Sequence, residues 1–156
     1  MITLRSVTSK NVWEIYELEA DENLVASNPM SFTEAYFYYL ETGNNPITLG
    51  IYHKEAPVGF MMIAYNPDFD IFDNKGAPYY YLWRLMIDEA YQSKGYGRKA
   101  MELLIDEIKS FKWGTANAIY TSLVPASDVT PKFYGSFGFE KTGEMDDDEI
   151  VVRLAL

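Results

Sequence analysis

Cysteine is absent from the 156-residue sequence, and His53 is its single histidine. Without cysteine the chain can form neither a disulfide nor a thiolate metal site, and it offers no cysteine nucleophile. One histidine also excludes a multi-histidine metal site, so we expect no metal cofactor. No apolar run approaches the length of a membrane span, and residues 1–5 do not resemble a signal peptide. We therefore expect a cytoplasmic protein with no membrane partner.

Basic residues are scarce, since 13 Lys and Arg stand against 23 Asp and Glu, for a net charge of −10. A field of this sign repels nucleic acid and attracts polycations, although an acidic surface also simply keeps a protein in solution. We therefore expect no nucleic-acid partner. The length fits a single domain, residues 1–156, and a hydrophobic fraction of 48% is ample for its core.

The segment Gln92-Ser93-Lys94-Gly95-Tyr96-Gly97 lies between an apolar, strand-like run and an amphipathic helix. A loop with two glycines at such a turn exposes backbone N–H groups, and the first helical turn adds its own unpaired N–H groups and its dipole. This pattern predicts a cradle for phosphate or pyrophosphate, with positive charge from Lys94, Arg98 and Lys99. The spacing is not that of a nucleoside-triphosphate loop, and the chain is too short for a dinucleotide fold.

Apolar alternation and helical periodicity predict the remaining elements. The predicted strands are Ile2–Val7, Ile47–Tyr52, Val58–Tyr65, Tyr79–Ile87, Ala118–Val124, Phe139–Thr142 and Ile150–Leu154, with an acidic turn at Glu144–Glu149. Four helices are predicted. The first is capped by Thr8 or Ser9, and its inward-facing residues are Val12, Ile15, Tyr16 and Leu18. The second begins with the capping box Ser31–Glu34 and runs to Leu40, and the last two are Arg98–Phe111 and Thr130–Phe137. The order is β-α-α-β-β-β-α-β-α-β-β.

The Gln92–Gly97 loop resembles the acetyl-coenzyme A loop of the GNAT N-acetyltransferase superfamily. The segment Lys132–Phe139 is similar to the Leu-Tyr-x-x-x-Gly-Phe motif of the same family, at the proper distance from the loop. The element order also matches the GNAT fold, a mixed α/β (α+β) architecture over nearly the whole chain. In that fold the central sheet opens between two near-parallel strands, which here are Tyr79–Ile87 and Ala118–Val124.

The resemblance implies acetyl transfer from acetyl-coenzyme A to an amine, by direct attack in a ternary complex. It implies that Tyr134 protonates the departing thiolate and that a backbone N–H near Met86 or Ile87 stabilises the oxyanion. The implied coenzyme A contacts are the backbone of Leu85, Met86 and Ile87 for the pantetheine arm, and Gln92, Ser93, Lys94, Gly95, Tyr96, Gly97 and Arg98 for the pyrophosphate. Ser127 stands where the family usually carries an Asn that contacts the cofactor.

Within the family the chain most resembles the bacterial spermine/spermidine (diamine) N-acetyltransferases, through the segments Asn66–Asp70, Trp83–Asp88 and Tyr91–Gly95. A polyamine fits a groove with carboxylates and aromatic walls. The expected substrate contacts are Glu22, Asp68, Asp70 and Trp83. A base is also needed, and Glu22, Asp68 or Asp70 could act through water, since an acidic residue that some relatives carry on the central strand is replaced here by Trp83.

Other functions stay open at this point. The acceptor could be an aminoglycoside, an amino acid or a protein N-terminus. The chain could also be a coenzyme A-binding module without catalysis, or a protein outside the family that binds no coenzyme A. A homodimer through the C-terminal strands is a further possibility that the resemblance raises.

Overall fold

A computed structural model describes residues 1–69, 72–125 and 129–156. Its strands are β1 Ile2–Ser6, β2 Ile47–His53, β3 Ala56–Tyr65, β4 Tyr80–Ile87, β5 Ala118–Leu123, β6 Glu140–Asp146 and β7 Glu149–Ala155. Its α-helices are α1 Val12–Tyr16, α2 Asn28–Thr42, α3 Tyr96–Lys109 and α4 Val129–Gly135, and a short 3-10 turn covers Glu89–Tyr91. The element order predicted from the sequence is confirmed. In the described ranges, no helix combines the length and the apolarity needed to cross a bilayer.

The strands form one sheet in the order β1-β2-β3-β4-β5-β7-β6, in which β4 and β5 are parallel and the other neighbours antiparallel. The pairing of β4 with β5 consists of Tyr80 with Ile119 and Tyr81 with Tyr120, and the two strands then diverge. At the start of the opening, the Thr121 hydroxyl donates a hydrogen bond of 2.9 Å to the Leu82 carbonyl. The predicted opening between the two central strands is therefore confirmed.

A bulge in β4 and a glycine in β3 shape one side of this opening. The register shifts between Met62–Arg84 and Ile63–Leu82, so that Trp83 is the extra residue of β4. Opposite the end of β4, a Cβ atom on Gly59 would lie 2.4 Å from the Met86 carbonyl oxygen. Because such a distance is sterically forbidden, only glycine lets β3 approach the backbone of β4 this closely at Met86.

Helix α3 and the strands share the larger core, which buries Met101, Leu104 and Ile108. The helical periodicity predicts an inward face that also contains Ile105 and Phe111, but Phe111 is 58% exposed because α3 ends at Lys109. Helices α1 and α2 cover the other face of the sheet around Ile15. The prediction that Tyr16 faces inward is wrong, since its side chain is 42% exposed. Helix α1 has only five residues, so a single one of them, Ile15, is buried against the sheet.

Helix α2 begins earlier than the sequence pattern predicts. The expected capping box at Ser31–Glu34 is wrong, because Ser27 is the N-cap and its hydroxyl accepts a hydrogen bond from the Met30 N–H. Pro29 lies in the first turn, where a residue without an N–H costs the helix nothing. The helix ends at Thr42, and Gly43 adopts the left-handed conformation of a C-cap.

Strand β6 is longer and its turn shorter than expected. The predicted strand Phe139–Thr142 continues to Asp146, so the acidic turn shrinks to the residues between β6 and β7. Gly143 has a φ of +91° and the register shifts between Lys141 and Met145. The sequence pattern breaks at this point and so predicts the end of the strand. In the structure the break is a β-bulge, and the strand continues beyond it.

Candidate active site

A cavity of about 630 Å³ occupies the opening between β4 and β5, and it is here called the central cavity. Its lining comes from segment 20–27, the start of α2, the diverging strands, α4 and the start of β7. The charged, aromatic and strand-end residues of this lining include Asp21, Glu22, Tyr81, Trp83, Arg84, Leu85, Met86, Ile87, Gln92, Tyr134 and Glu149. The structure thus brings together residues that lie more than a hundred positions apart in the sequence.

The end of β4 forms the donor side of this cavity. Leu85, Met86 and Ile87 line it, and their strand pairs with β3 alone because β5 has already diverged. The Gln92 side chain donates a hydrogen bond of 2.9 Å to the Ile87 carbonyl and so ties the glycine loop to the strand end. A backbone edge without a strand partner is suited to hydrogen bonding with an extended amide-containing ligand.

The glycine loop has the geometry of an anion cradle. Ser93 and Gly95 have positive φ values of 62° and 79°, and Gly95 is the N-cap of α3. No side chain caps this helix start, so its first N–H groups are left for a ligand. A Cβ atom on Gly95 would meet nothing within 4 Å, which shows open space beside the loop. A pyrophosphate therefore fits the residues that are present.

Three cations surround the loop, each with a partner of its own. Arg98 donates a hydrogen bond of 2.6 Å to the Ser136 hydroxyl and lies 4.8 Å above the Phe137 ring. Lys94 lies 5.6 Å from the centre of the Tyr91 ring. Lys99 pairs with Glu102 at 3.4 Å. Arg98 thereby links the start of α3 to the end of α4, the two helices that carry the sequence motifs.

Tyr134 lines the central cavity from α4 and is 8% exposed. Its ring makes edge contacts with Phe133 and Phe139, at centroid distances of 5.1 and 5.5 Å. Burial, and to a smaller degree the nearby Tyr81, raise the pKa of the Tyr134 phenol above its usual range. The phenol is therefore protonated at neutral pH and can donate a proton or a hydrogen bond into the cavity.

Glu149 is a carboxylate in the cavity that the sequence did not single out, and it lies at the start of β7. Burial is the main cause that raises the pKa of Glu149, and the neighbouring Asp146 acts in the same direction. Arg84 is the cation that lines the same cavity, and its guanidinium already pairs with Glu34 at 2.6 Å and donates a hydrogen bond of 3.2 Å to the Ser31 hydroxyl. Glu149 is thus a carboxylate whose raised pKa suits it to accept a proton.

The four predicted substrate residues, and Ser127 as a predicted coenzyme A contact, separate into three groups. Glu22 and Trp83 line the central cavity, and the Trp83 ring packs edge-on against Tyr38 at 5.4 Å. Asp68 is exposed and does not line the cavity. Asp70 and Ser127 lie outside the described residues. The roles expected for these five residues stay predictions.

A mixed sheet that opens between two parallel strands, beside a helix start built to bind an anion, is the architecture of acyl-coenzyme A N-acyltransferases. The family model described as Acetyltransferase (GNAT) family matches residues 12–139. The chain belongs to this family, and it is an acetyl-coenzyme A-dependent N-acetyltransferase.

Similar proteins include the spermine/spermidine N(1)-acetyltransferase of Bacillus subtilis strain 168, which is 31% identical over 150 residues, or 93% of this chain and 91% of the relative. The solved PaiA N-acetyltransferase of Thermoplasma acidophilum, in complex with coenzyme A, is 16% identical with a TM-score of 0.66, over 100% of this chain and 99% of that one. Arabidopsis thaliana Naa50, in complex with a bisubstrate analogue, is 19% identical with a TM-score of 0.68, over 99% of both chains. The predicted GNAT fold is confirmed.

Replacing Arg98 with alanine should raise the KM for acetyl-coenzyme A about tenfold, the value of one charge-assisted hydrogen bond, with kcat near wild type. The reason is that Arg98 lies at the helix start and not near the reacting atoms. Steady-state kinetics at low and high salt measure the effect, which should shrink as salt rises. The matched control is Lys109→Ala, which removes the same charge from the other end of α3. An equal rise of KM in both variants would contradict a specific role for Arg98.

Proposed function

We propose that the acetyl acceptor is a primary amine of a polyamine such as spermidine or spermine. The observation that carries this proposal is the central cavity, where the carboxylates of Asp21, Glu22 and Glu149 lie with the aromatic side chains of Tyr81 and Trp83. Ammonium groups are stabilised both by carboxylates and by aromatic faces. The similarity to the Bacillus subtilis spermine/spermidine enzyme supports the same class of acceptor.

On the donor side we propose the contacts that the sequence implies. The backbone of Leu85, Met86 and Ile87 would pair with the pantetheine arm, and an N–H near Met86 or Ile87 would stabilise the oxyanion. The pyrophosphate would lie on the loop Gln92–Gly97 and Arg98. The absent side-chain cap of α3 and the unpaired edge of β4 support this assignment.

The reaction we propose is direct attack in a ternary complex. The amine nitrogen forms a bond to the thioester carbonyl carbon, the carbon–sulfur bond breaks, and its electron pair leaves with the sulfur. Glu149 takes the proton that the ammonium must lose, directly or through water, and Tyr134 gives a proton to the sulfur. As the carbon–sulfur bond breaks, the nitrogen, which still carries two protons, loses one of them to solvent. Solvent also reprotonates Tyr134 and takes the proton from Glu149, so the products are an amide, a free thiol and one proton released to solvent.

Thiol release from acetyl-coenzyme A, measured over a panel of amines, tests the proposed acceptor. The panel contains spermidine, spermine, putrescine, lysine, an aminoglycoside and a peptide with a free N-terminus. We expect the highest kcat/KM with spermidine or spermine. A higher value with the aminoglycoside, the amino acid or the peptide would overturn the polyamine assignment in favour of that acceptor.

Three further expectations stay proposals: that residues 1–156 form a single domain, that the enzyme is cytoplasmic, and that it forms a homodimer. A small-molecule acceptor agrees with the expected absence of nucleic-acid and membrane partners. Light scattering of the purified protein would give the oligomeric state directly.

A further inference from the structure

A second cavity, of about 550 Å³, lies between the end of α1, segment 17–27 and the start of α2. We call it the glutamate groove, because Glu17, Glu19, Glu22 and Glu89 line it, whereas no Lys, Arg or His does so among the described residues. The ion pairs found in the described ranges use other carboxylates, namely Glu34, Glu55, Glu102 and Glu107. The groove therefore gathers negative charge that no cation of the described chain neutralises.

Asn28 lines the same groove and gives a second, independent observation. Its side chain is buried, with 1% exposure, and its Nδ2 donates to the Ile15 carbonyl at 2.8 Å. Its Oδ1 accepts no hydrogen bond from the described groups. A buried acceptor without a donor is unfavourable, so this oxygen indicates a donor that a ligand supplies.

The shape of the groove favours an extended cation over a single ion. In the described part of the chain, no group of three or more acidic or histidine side chains could hold one metal ion. The carboxylates are thus spread along the groove. The groove also adjoins the central cavity, because Ala20, Glu22, Val25, Ala26, Ser27 and Met86 line both.

We propose that the glutamate groove binds a second ammonium group of the same linear oligoamine whose first amine is acetylated in the central cavity. This inference rests on the proposed function, which it deepens by assigning a separate site to the distal nitrogen. The ammonium group donates a hydrogen bond to Asn28 Oδ1, and its charge is attracted by the carboxylates of the glutamates. The enzyme then selects its acceptor by the spacing between two amines, not by one amine alone.

The test variant is Glu17→Gln, Glu19→Gln and Glu89→Gln in one chain. These three side chains line the groove and not the central cavity. The hydrogen bonds from the Glu19 N–H to Asp88 and from the Glu89 N–H to the Glu19 carbonyl involve backbone atoms of the replaced residues and are kept. We expect the variant to melt no lower than wild type, because it removes like charges from one cavity.

The measurement compares kcat/KM for spermine and for 1,3-diaminopropane, whose second amine is much closer to the first than the distal amine of spermine is. We expect kcat/KM for spermine to fall about tenfold or more through KM, since the reacting nitrogen keeps its surroundings. The value for diaminopropane should change less than about twofold. The control variant replaces three exposed glutamates outside both cavities, Glu41, Glu140 and Glu144, with glutamine and should change neither value.

Two kinetic results would overturn the inference: an equal fall for both amines, or an equal fall in the control variant. Calorimetric titration of spermine into the coenzyme A-saturated protein separates this inference from the proposed function. If wild type acetylates no polyamine, the proposed function fails. Spermine binding that is lost in the groove variant and kept in the control would still establish the groove as a polycation site, and binding equal in all three proteins would refute it.

Discussion

Replacing Tyr134 with phenylalanine should lower kcat on the order of a hundredfold while the affinity for coenzyme A stays within about threefold of wild type. The change removes the phenol that can donate a proton into the central cavity and keeps the ring contacts with Phe133 and Phe139. The raised pKa of Tyr134 does not prevent this role. Burial in the cavity raises the pKa of the departing thiol as well as that of the phenol, because it disfavours both anions. The proton therefore passes between two groups whose pKa values shift in the same direction.

The measurement combines steady-state kinetics, coenzyme A titration and a melting curve. Tyr65→Phe is the matched control, because it removes a phenol that donates to the Thr115 carbonyl at 2.8 Å and lies outside the central cavity. We expect the control to keep kcat. A Tyr134→Phe enzyme with wild-type kcat would show that another group protonates the sulfur.

Replacing Glu149 with glutamine should lower kcat/KM for the amine by about ten- to a hundredfold at neutral pH. The acceptor is protonated at this pH, with a pKa close to that of lysine, and the variant lacks the carboxylate that we propose to take its proton. The deficit should shrink as the pH approaches about 10, because the free amine then reaches the site without help. A deficit that is constant over the whole pH range would contradict a role in proton transfer.

The same substitution should not destabilise the fold. Because the folded-state pKa of Glu149 is raised, the folded chain binds this proton more tightly than the unfolded chain, and stability falls as pH rises from the unfolded pKa through the folded one. Above that pH window the wild-type fold carries the cost of a partly buried negative charge at Glu149, and glutamine removes this cost. Glu149→Gln should therefore melt at or above the wild-type temperature at pH 7. The control Asp148→Asn, an exposed neighbour in the same turn, should leave kcat unchanged. A lower melting temperature for Glu149→Gln would contradict the raised pKa.

The sequence was sufficient for the features that depend on local chemistry. Short-range patterns predict the glycine loop, the order of the elements and the place of Tyr134 in the last helix. The structure contains each of these features. The opening between β4 and β5 came from the resemblance, and the two-pair ladder between these strands confirms it.

Two local signals compete for the start of α2. Both Ser27 and Ser31 are good N-cap residues, and Ser31 is followed by the glutamate of a capping box. Pro29 decides between them, because it fits the first turn of a helix that starts at Asn28. Once the helix has started there, Ser31 lies inside it, where its hydroxyl donates to the Ser27 carbonyl at 3.0 Å.

Glu149 could not be recognised because its position depends on strand register. In the sequence it ends an acidic run, which indicates a solvated turn. In the structure Leu123 pairs with Ile150, so the start of β7 lies beside the end of β5 at the edge of the opening. Of the residues that line the glutamate groove, the sequence indicated Glu22 but not Glu17, Glu19 and Glu89, because Glu89 meets Glu17 and Glu19 only after the chain has folded.

Segment 20–27 lines both cavities, yet it pairs with no strand, and backbone hydrogen bonds from Leu24 and Val25 to Asp21 hold it locally. The acetyl donor side depends instead on β4, whose backbone the sheet fixes. Substitutions or insertions in this one loop can therefore change which amine enters while the donor side stays intact. A library confined to these eight positions would therefore vary the acceptor side on a constant donor side.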